Sequence, residues 1–315
     1  MKKMINSTHI EGYLYESNLE SKVTGETSKK PGTAYITGTL SIATDEDLTN
    51  IVPVHFTYVT ATYGNGNKED PRFNLFSKII SGELKSVMSA GKDAAVKLKI
   101  DSAIDLNEFY TDRNGKKELI SAKRNEGGFV HVVTQLNPKE EERNTFKVDM
   151  LITNVRVLEE DSENGTPEKA IIKGCVFNFK NAILPVEFSA TNKAAIDYFV
   201  GLEASSKQPV FTEIRGRQVS ETIVKKLVEE SAFGEASVRE VTNSRKDWVV
   251  NWAKSEPYAW DDESTITAQE LKSAIADREV TVASIKKRQE EYEASKAATK
   301  PAKAVAQVNA GDFNF

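Results

Sequence analysis

Cysteine is almost missing: Cys175 stands alone in 315 residues. That rules out a disulfide within the chain and a cysteine-ligated zinc site, and it fits a reducing cytoplasm. Histidine is nearly as scarce, with His9, His55 and His131 far apart and none in a His-Glu-x-x-His or nucleophile-elbow setting. Each reads as a strand residue rather than as a ligand or base. There is no Walker loop, no Gly-x-Gly-x-x-Gly after a strand and no calcium loop. Gly64-Asn65-Gly66-Asn67 has too few glycines to cradle a phosphate and reads as a hairpin tip. Long apolar runs are absent too, with none near the ~20 residues that span a bilayer. Met1-Lys2-Lys3-Met4 carries the charge of a signal peptide, but polar Asn6-Ser7-Thr8-His9 follows where its apolar stretch belongs. The expectation is a cytoplasmic chain, neither exported by that route nor embedded.

Charge gives no strong lead, since the net value of −5 announces no polyanion partner. Much of the acid sits near the C-terminus, and the first ~225 residues come out close to neutral. Asp45-Glu46-Asp47 and Asp261-Asp262-Glu263 read as solvated turns rather than as sites for a hard cation. No catalytic residue, metal or cofactor is implied, and a binding role is expected in place of an enzymatic one.

What the chain does have is short alternating runs of Val, Ile, Thr, Phe and Tyr, the mark of half-buried strands. Ile10 to Tyr15, Ala34 to Ile42, Ile51 to Thr62, Val96 to Ile104 and Phe129 to Val133 fit this pattern. In one of them Val96, Leu98 and Ile100 share a face while Lys97 and Lys99 take the other. Asn114-Gly115 supplies the positive φ angles of a tight turn, so Glu108 to Thr111 is expected to pair with Glu118 to Ser121 across a basic tip. A helix is expected between Arg72 and Met88, where Phe73, Phe76, Ile79 and Ile80 recur at helical spacing.

The chain also repeats itself. Ala34-Tyr35-Ile36-Thr37-Gly38 leads into Ile51-Val52-Pro53-Val54-His55-Phe56, and Ala170-Ile171-Ile172-Lys173-Gly174 leads into Ile183-Leu184-Pro185-Val186-Glu187-Phe188. The match extends outward: Ile10 to Tyr15 answers Ile152 to Val157, Asn74 to Glu83 answers Ala194 to Glu203, and Lys97 to Ala103 answers Val210 to Val219. Order, spacing and identity sustained over this length indicate two related units. Domains are expected at 1–150 and 151–225, followed by a helical region at 226–295 and a disordered tail at 296–315. Thr267-Ala268-Gln269-Glu270 is a capping box that opens a helix carrying Leu271, Ile275 and, past an interruption near Thr281, Ile285. Trp248 and Trp252, one helical turn apart, together with Trp260 suggest a small core that anchors a helix on a sheet.

Rings interleaved with cations on antiparallel strands are what holding a single strand requires, because bases stack on rings while cations follow phosphates. The candidates in the first unit are Tyr58, Tyr63, Phe109, Tyr110 and Phe129, with Lys97, Lys99, Arg113, Lys116, Lys117, Lys123 and Arg124. In the second they are Phe177 and Phe179, with Lys173, Lys180, Arg215 and Arg217. Strand alternation sends about half of such rings into the core, Phe56 and Phe188 among them.

The repeated Ala-x-Ile-x-Gly, turn, Pro-Val-x-Phe, amphipathic segment and further strand resembles the strand order of the OB-fold. The fold class expected is therefore mainly β, as tandem OB-like β-barrels with a helical C-terminal region. Taken twice over residues 5–225, the pattern is similar to the single-stranded DNA-binding proteins that bacteriophages encode for replication and recombination. That resemblance implies sequence-tolerant single-stranded DNA binding and, for a phage-encoded chain, residence in the host cytoplasm. Bacterial single-strand binders end in an acidic, Phe-terminated stretch that docks replication and repair proteins. Here Asp312, Phe313 and Phe315 are similar but have one acid and no proline, which implies a partner-docking tail. Repeated β-domains with charged helical ends also suit a structural or assembly protein of a phage particle, the competing expectation ahead of a nucleic-acid-acting enzyme.

Overall fold

The computed structural model describes residues 4–63, 68–113, 116–160, 167–229, 237–260 and 265–299, with the backbone path alone for 221–229, 237–245 and 296–299. The first part of the chain forms strands β1 (Asn6–Ser17), β2 (Glu20–Val23), β3 (Ala34–Ala43), β4 (Ile51–Thr60), β5 (Thr62–Tyr63) and β6 (Lys68–Glu69). Helices α1 (Pro71–Ile80) and α2 (Val87–Ala90) precede the long strands β7 (Lys97–Arg113) and β8 (Lys116–Val133). The second part forms β9 (Asn144–Leu158), β10 (Lys169–Phe177), β11 (Ile183–Ala190), helix α3 (Lys193–Gly201), β12 (Val210–Glu229) and β13 (Ser237–Ala253). Helix α4 (Ala268–Thr299) closes the described chain.

Both parts close into the same barrel. In the first, β1 pairs antiparallel with β3 and β7, β3 with β4 and β7 with β8, and the parallel contact of β4 with β8 completes the circuit. In the second, β9 pairs antiparallel with β10 and β12, β10 with β11 and β12 with β13, and β11 meets β13 in parallel. Each is a five-stranded OB barrel with a helix of nine or ten residues, α1 or α3, between its third and fourth strands. Every segment of the sequence repeat lands on matching elements: β1 with β9, β3 with β10, β4 with β11, α1 with α3, and β7 with β12.

The repeat works because alternation gives each barrel an apolar lining. Val52, Val54 and Phe56 are buried in the first core, and Leu184, Val186 and Phe188 in the second, while Pro53 and Pro185 face out. Asp70 caps α1 by accepting from the Arg72 amide at 3.0 Å, and Phe76 meets Phe56 edge-on at 4.7 Å. Asn192 caps α3 in the same way, which seats Ile196 and Phe199 on the second core. Fully burying rings of this size contributes roughly 1.5–3 kcal/mol each. Gly174 marks where β10 crosses β9 so closely that a Cβ there lies 1.9 Å from the Leu151 carbonyl oxygen. Only glycine fits.

Pairing between β1 and β9 fuses the barrels into one eleven-stranded sheet. An amide network reinforces the seam: Asn125 and Gln218 exchange side-chain hydrogen bonds at 2.9 and 3.0 Å, and Asn50 bridges to the Gln218 carbonyl and the Ser220 amide. A third apolar cluster, with Leu151, Phe177, Phe211 and Ile266, lies under the start of α4. Among the described residues no helix is long and apolar enough to cross a membrane.

Three local expectations need correction. The helix expected from Arg72 to Met88 breaks at Gly82, whose φ of 75° ends α1, and resumes only as α2. The helical texture expected from Val224 is instead the ribbon of β12 and β13, and helix begins at Ala268. There the capping box forms as read, with the Glu270 amide donating to Thr267 Oγ1 at 3.2 Å. The interruption near Thr281 is absent: the helix runs on through it, with the Thr281 hydroxyl donating to the Asp277 carbonyl. Gly64 to Asn67, Asn114-Gly115, Asp261 to Glu263 and the tail with Asp312, Phe313 and Phe315 lie outside the described residues.

Candidate nucleic-acid interface

The outer face of the first barrel is built by a defect in its ladder. Between the Ile36–Val59 and Gly38–Phe56 pairs, β4 carries one residue more than β3, so Thr57 and Tyr58 both turn outward. Tyr58 stays 49% exposed with its ring 4.8 Å from that of Tyr35 on β3. On the next strand Lys22 of β2, which pairs with exposed Glu20 at 2.8 Å, is the register partner of Tyr35. Cation, ring and ring thus run across three adjacent strands. Lys29 and Lys30, both exposed, lie on the loop that returns from β2 to β3. Below this strip Thr39 meets His55 at 3.2 Å, and burial with the nearby Arg124 guanidinium pushes the His55 imidazolium toward its neutral form.

The basic hairpin forms in the expected register, with Glu108 opposite Ser121 and Thr111 opposite Glu118. Arg113 and Lys116 face each other, exposed, at its end, and Tyr110 is half-buried opposite Leu119. Lys117 is not free, because Glu293 of α4 takes it at 2.6 Å, and Arg278 of α4 grips Glu108 on the same ribbon. Nearer the barrel, Lys97 lies over the Tyr13 ring at 5.6 Å, and Lys99 sits between Glu11 and His131. Arg124 pairs with Glu126 at 2.9 Å. Tyr63 and Phe129 are 52% and 71% exposed.

Lys123 is the residue that sequence places worst. Its amine donates to the Glu187 carbonyl of the second barrel and lies 4.1 Å from the centre of Phe188 and 4.8 Å from that of Trp248. Desolvation pushes its pKa down to about 7, against the pull of Asp247 and Glu187. It borders a cavity of about 290 Å³ between the barrels, together with Pro53, Asn125, Gln218 and Trp248. This amine is a wedge in a seam, enclosed where a phosphate contact must be open.

In the second barrel Lys173 is held by Glu187 at 2.6 Å, and Phe177 is fully buried, so neither offers a free surface. Phe179 is 79% exposed with Lys180 over its ring at 5.4 Å. Arg215 donates to Glu213 at 2.7 Å and covers Trp252 at 4.1 Å, while Arg217 forms no ion pair among the described residues. The tryptophans do not make one small core. Trp248 packs on Phe146 and Phe188, whereas Trp252 and Trp260 remain 42% and 41% exposed.

The candidates therefore fall into separate groups: Tyr58 on the β3–β4 face, Arg113 and Lys116 at the hairpin tip, and Arg215 with Arg217 on the outer side of the second barrel. Sequence reasoning missed Tyr35, Lys22, Lys29, Lys30 and Trp252. Tyr35 was within reach, since alternation about buried Ile36 sends it outward. Among the described residues no group of three or more His, Cys, Asp or Glu converges as a metal site requires. Burial pushes the lone Cys175 thiol up to about 12.

Comparison with known proteins gives three results. A family profile described as YorF matches residues 4–296. No curated protein matches. Among solved structures, a deletion mutant of the single-stranded DNA binding protein from Thermus aquaticus superposes with a TM-score of 0.47 and 10% identity, over 84% of this chain and all of the other.

Proposed function

The chain belongs to the YorF family, and we propose that it binds single-stranded DNA without sequence preference, in the setting of replication or recombination. The observation that carries this reading is the strip of Lys22, Tyr35 and Tyr58 across β2, β3 and β4. In OB barrels the second and third strands, flanked by the first and last loops, form the ligand face. Here that face holds two rings within stacking reach of each other, with Lys29 and Lys30 on the loop that enters β3 beside them. Stacking on a ring is indifferent to base identity and contributes about 1–3 kcal/mol per base, and cations beside it neutralise phosphates. A duplex hides its base faces and is the weaker ligand.

The test is fluorescence anisotropy of a labelled dT strand of about 30 nucleotides, long enough to exceed a single-barrel site. Binding should weaken as salt rises, exceed that of the matching duplex, and drop about 5- to 100-fold when Tyr35 and Tyr58 are both replaced by Leu. Equal affinity for strand and duplex, or an unchanged double variant, refutes the assignment.

A further inference from the structure

The two barrels do not offer the same face. In the second barrel the surface corresponding to the tyrosine strip carries Ile171 and the Lys173–Glu187 ion pair at 2.6 Å. That surface is neutralised. Besides Phe179 and Lys180 on the turn after β10, an exposed ring with cations lies on the outer side of β12 and β13.

Arg215 and Trp252 are cross-strand partners there, and the register slip beside them leaves both Asn251 and Trp252 exposed. The Arg215 guanidinium sits 4.1 Å from the indole centre, steadied by Glu213 at 2.7 Å. Next to the indole opens a recess of about 530 Å³ lined by Tyr198, Arg217, Asn251, Trp252 and Ser255. Its walls combine a flat aromatic surface, an amide that can both donate and accept, hydroxyls and a guanidinium. On the other side of Arg217, a second recess is lined by Asp45, Glu140 and Glu141. Those carboxylates repel phosphate, so an anion at Arg217 is directed toward Trp252.

We propose that this recess is a second nucleotide subsite, in which a base stacks against Trp252 and the adjoining phosphate is taken by Arg217. It rests on the reading of the protein as a binder of single strands, and it makes the second barrel a contributor through a different face from the first. The size is suitable, since small-ligand pockets run from about 300 to 1,000 Å³.

The experiment compares dT strands of about 8 and about 32 nucleotides, lengths that fit one barrel and exceed it, on the full chain and on W252L, R217Q and Y58L. W252L and R217Q should weaken the long strand about 5- to 50-fold and leave the short one, held by the first barrel, unchanged. Y58L should weaken both. R217Q alters an exposed side chain, so it reports on the recess even where W252L fails to fold. Wild-type affinity for the long strand in R217Q and in any folded W252L, beside a weakened Y58L, overturns the subsite and leaves the first-barrel reading standing. A wild-type protein that binds neither strand removes both.

Discussion

Replacing Lys123 by Met should stabilise the protein at neutral pH. The amine is lodged between the barrels, and its pKa falls from 10.5 to about 7 because burial penalises the charge. At about 1.4 kcal/mol per pH unit, that displacement caps the native-state cost of the ammonium at about 4–5 kcal/mol. The hydrogen bond to the Glu187 carbonyl and the two rings beneath the amine give back about 1 kcal/mol each. Met is nearly as long, carries no charge, and its sulfur packs well on aromatic rings. A net gain of about 1–3 kcal/mol follows, or about 1.5–5 °C in Tm for a chain of this size. The sign with pH is fixed by linkage. Between about 7 and 10.5 the unfolded chain holds the Lys123 proton and the folded chain does not, so wild-type stability should climb with pH across that window. The Met variant should lack that climb. Urea unfolding followed by tryptophan emission from pH 6 to 9 measures both, since Trp248 touches the amine. A variant less stable than wild type at pH 7, or one with an unaltered pH profile, refutes the reasoning. Loss of dT binding in a stable variant would return Lys123 to the interface.

Three further outcomes are expected. Removing Arg113 and Lys116 together should lower dT affinity and flatten its salt dependence with little change in Tm, because exposed charges contribute little to folding, whereas Glu293→Gln should raise affinity by releasing Lys117 from α4; anisotropy titrations over a salt series check both. Gly174→Ala should destabilise the second barrel severely, because the new Cβ meets the Leu151 carbonyl oxygen at 1.9 Å; thermal melting followed by circular dichroism is the measure.

Much of the architecture was legible because it rests on local pattern repeated. The paired Pro-Val-x-Phe segments placed third strands in both barrels, and the pairing expected of Glu108 to Thr111 with Glu118 to Ser121 is the register of the first ribbon. The second ribbon escaped because Val224 to Glu229 is rich in Lys, Glu and Leu, good helix formers, and its strand state comes from the partner strand. Trp248 and Trp252 misled in a related way. Their spacing matches a helical turn, yet a slip in the ladder at Asn251 separates one indole into the core and leaves the other outside. For the interface, alternation could supply Tyr35 but not the extra residue that turns Tyr58 toward it. Nothing local could reveal that Lys123 would meet Phe188 and Trp248, since that depends on how two barrels dock. The pairing of Lys117 with Glu293 likewise joins positions far apart in the chain.

The ladder between β1 and β9 joins the first strand of one barrel to the first strand of the other, and it does so antiparallel. Antiparallel pairing of equivalent strands is the arrangement of an isologous dimer, so the two halves are related by an approximate dyad inside a single polypeptide. A true homodimer must keep its halves identical, because any substitution appears twice. Covalent fusion lifts that constraint while preserving the joint. One half could keep tyrosines on its β3–β4 face while the other filled the matching ground with an ion pair, and neither change needed a counterpart across the axis.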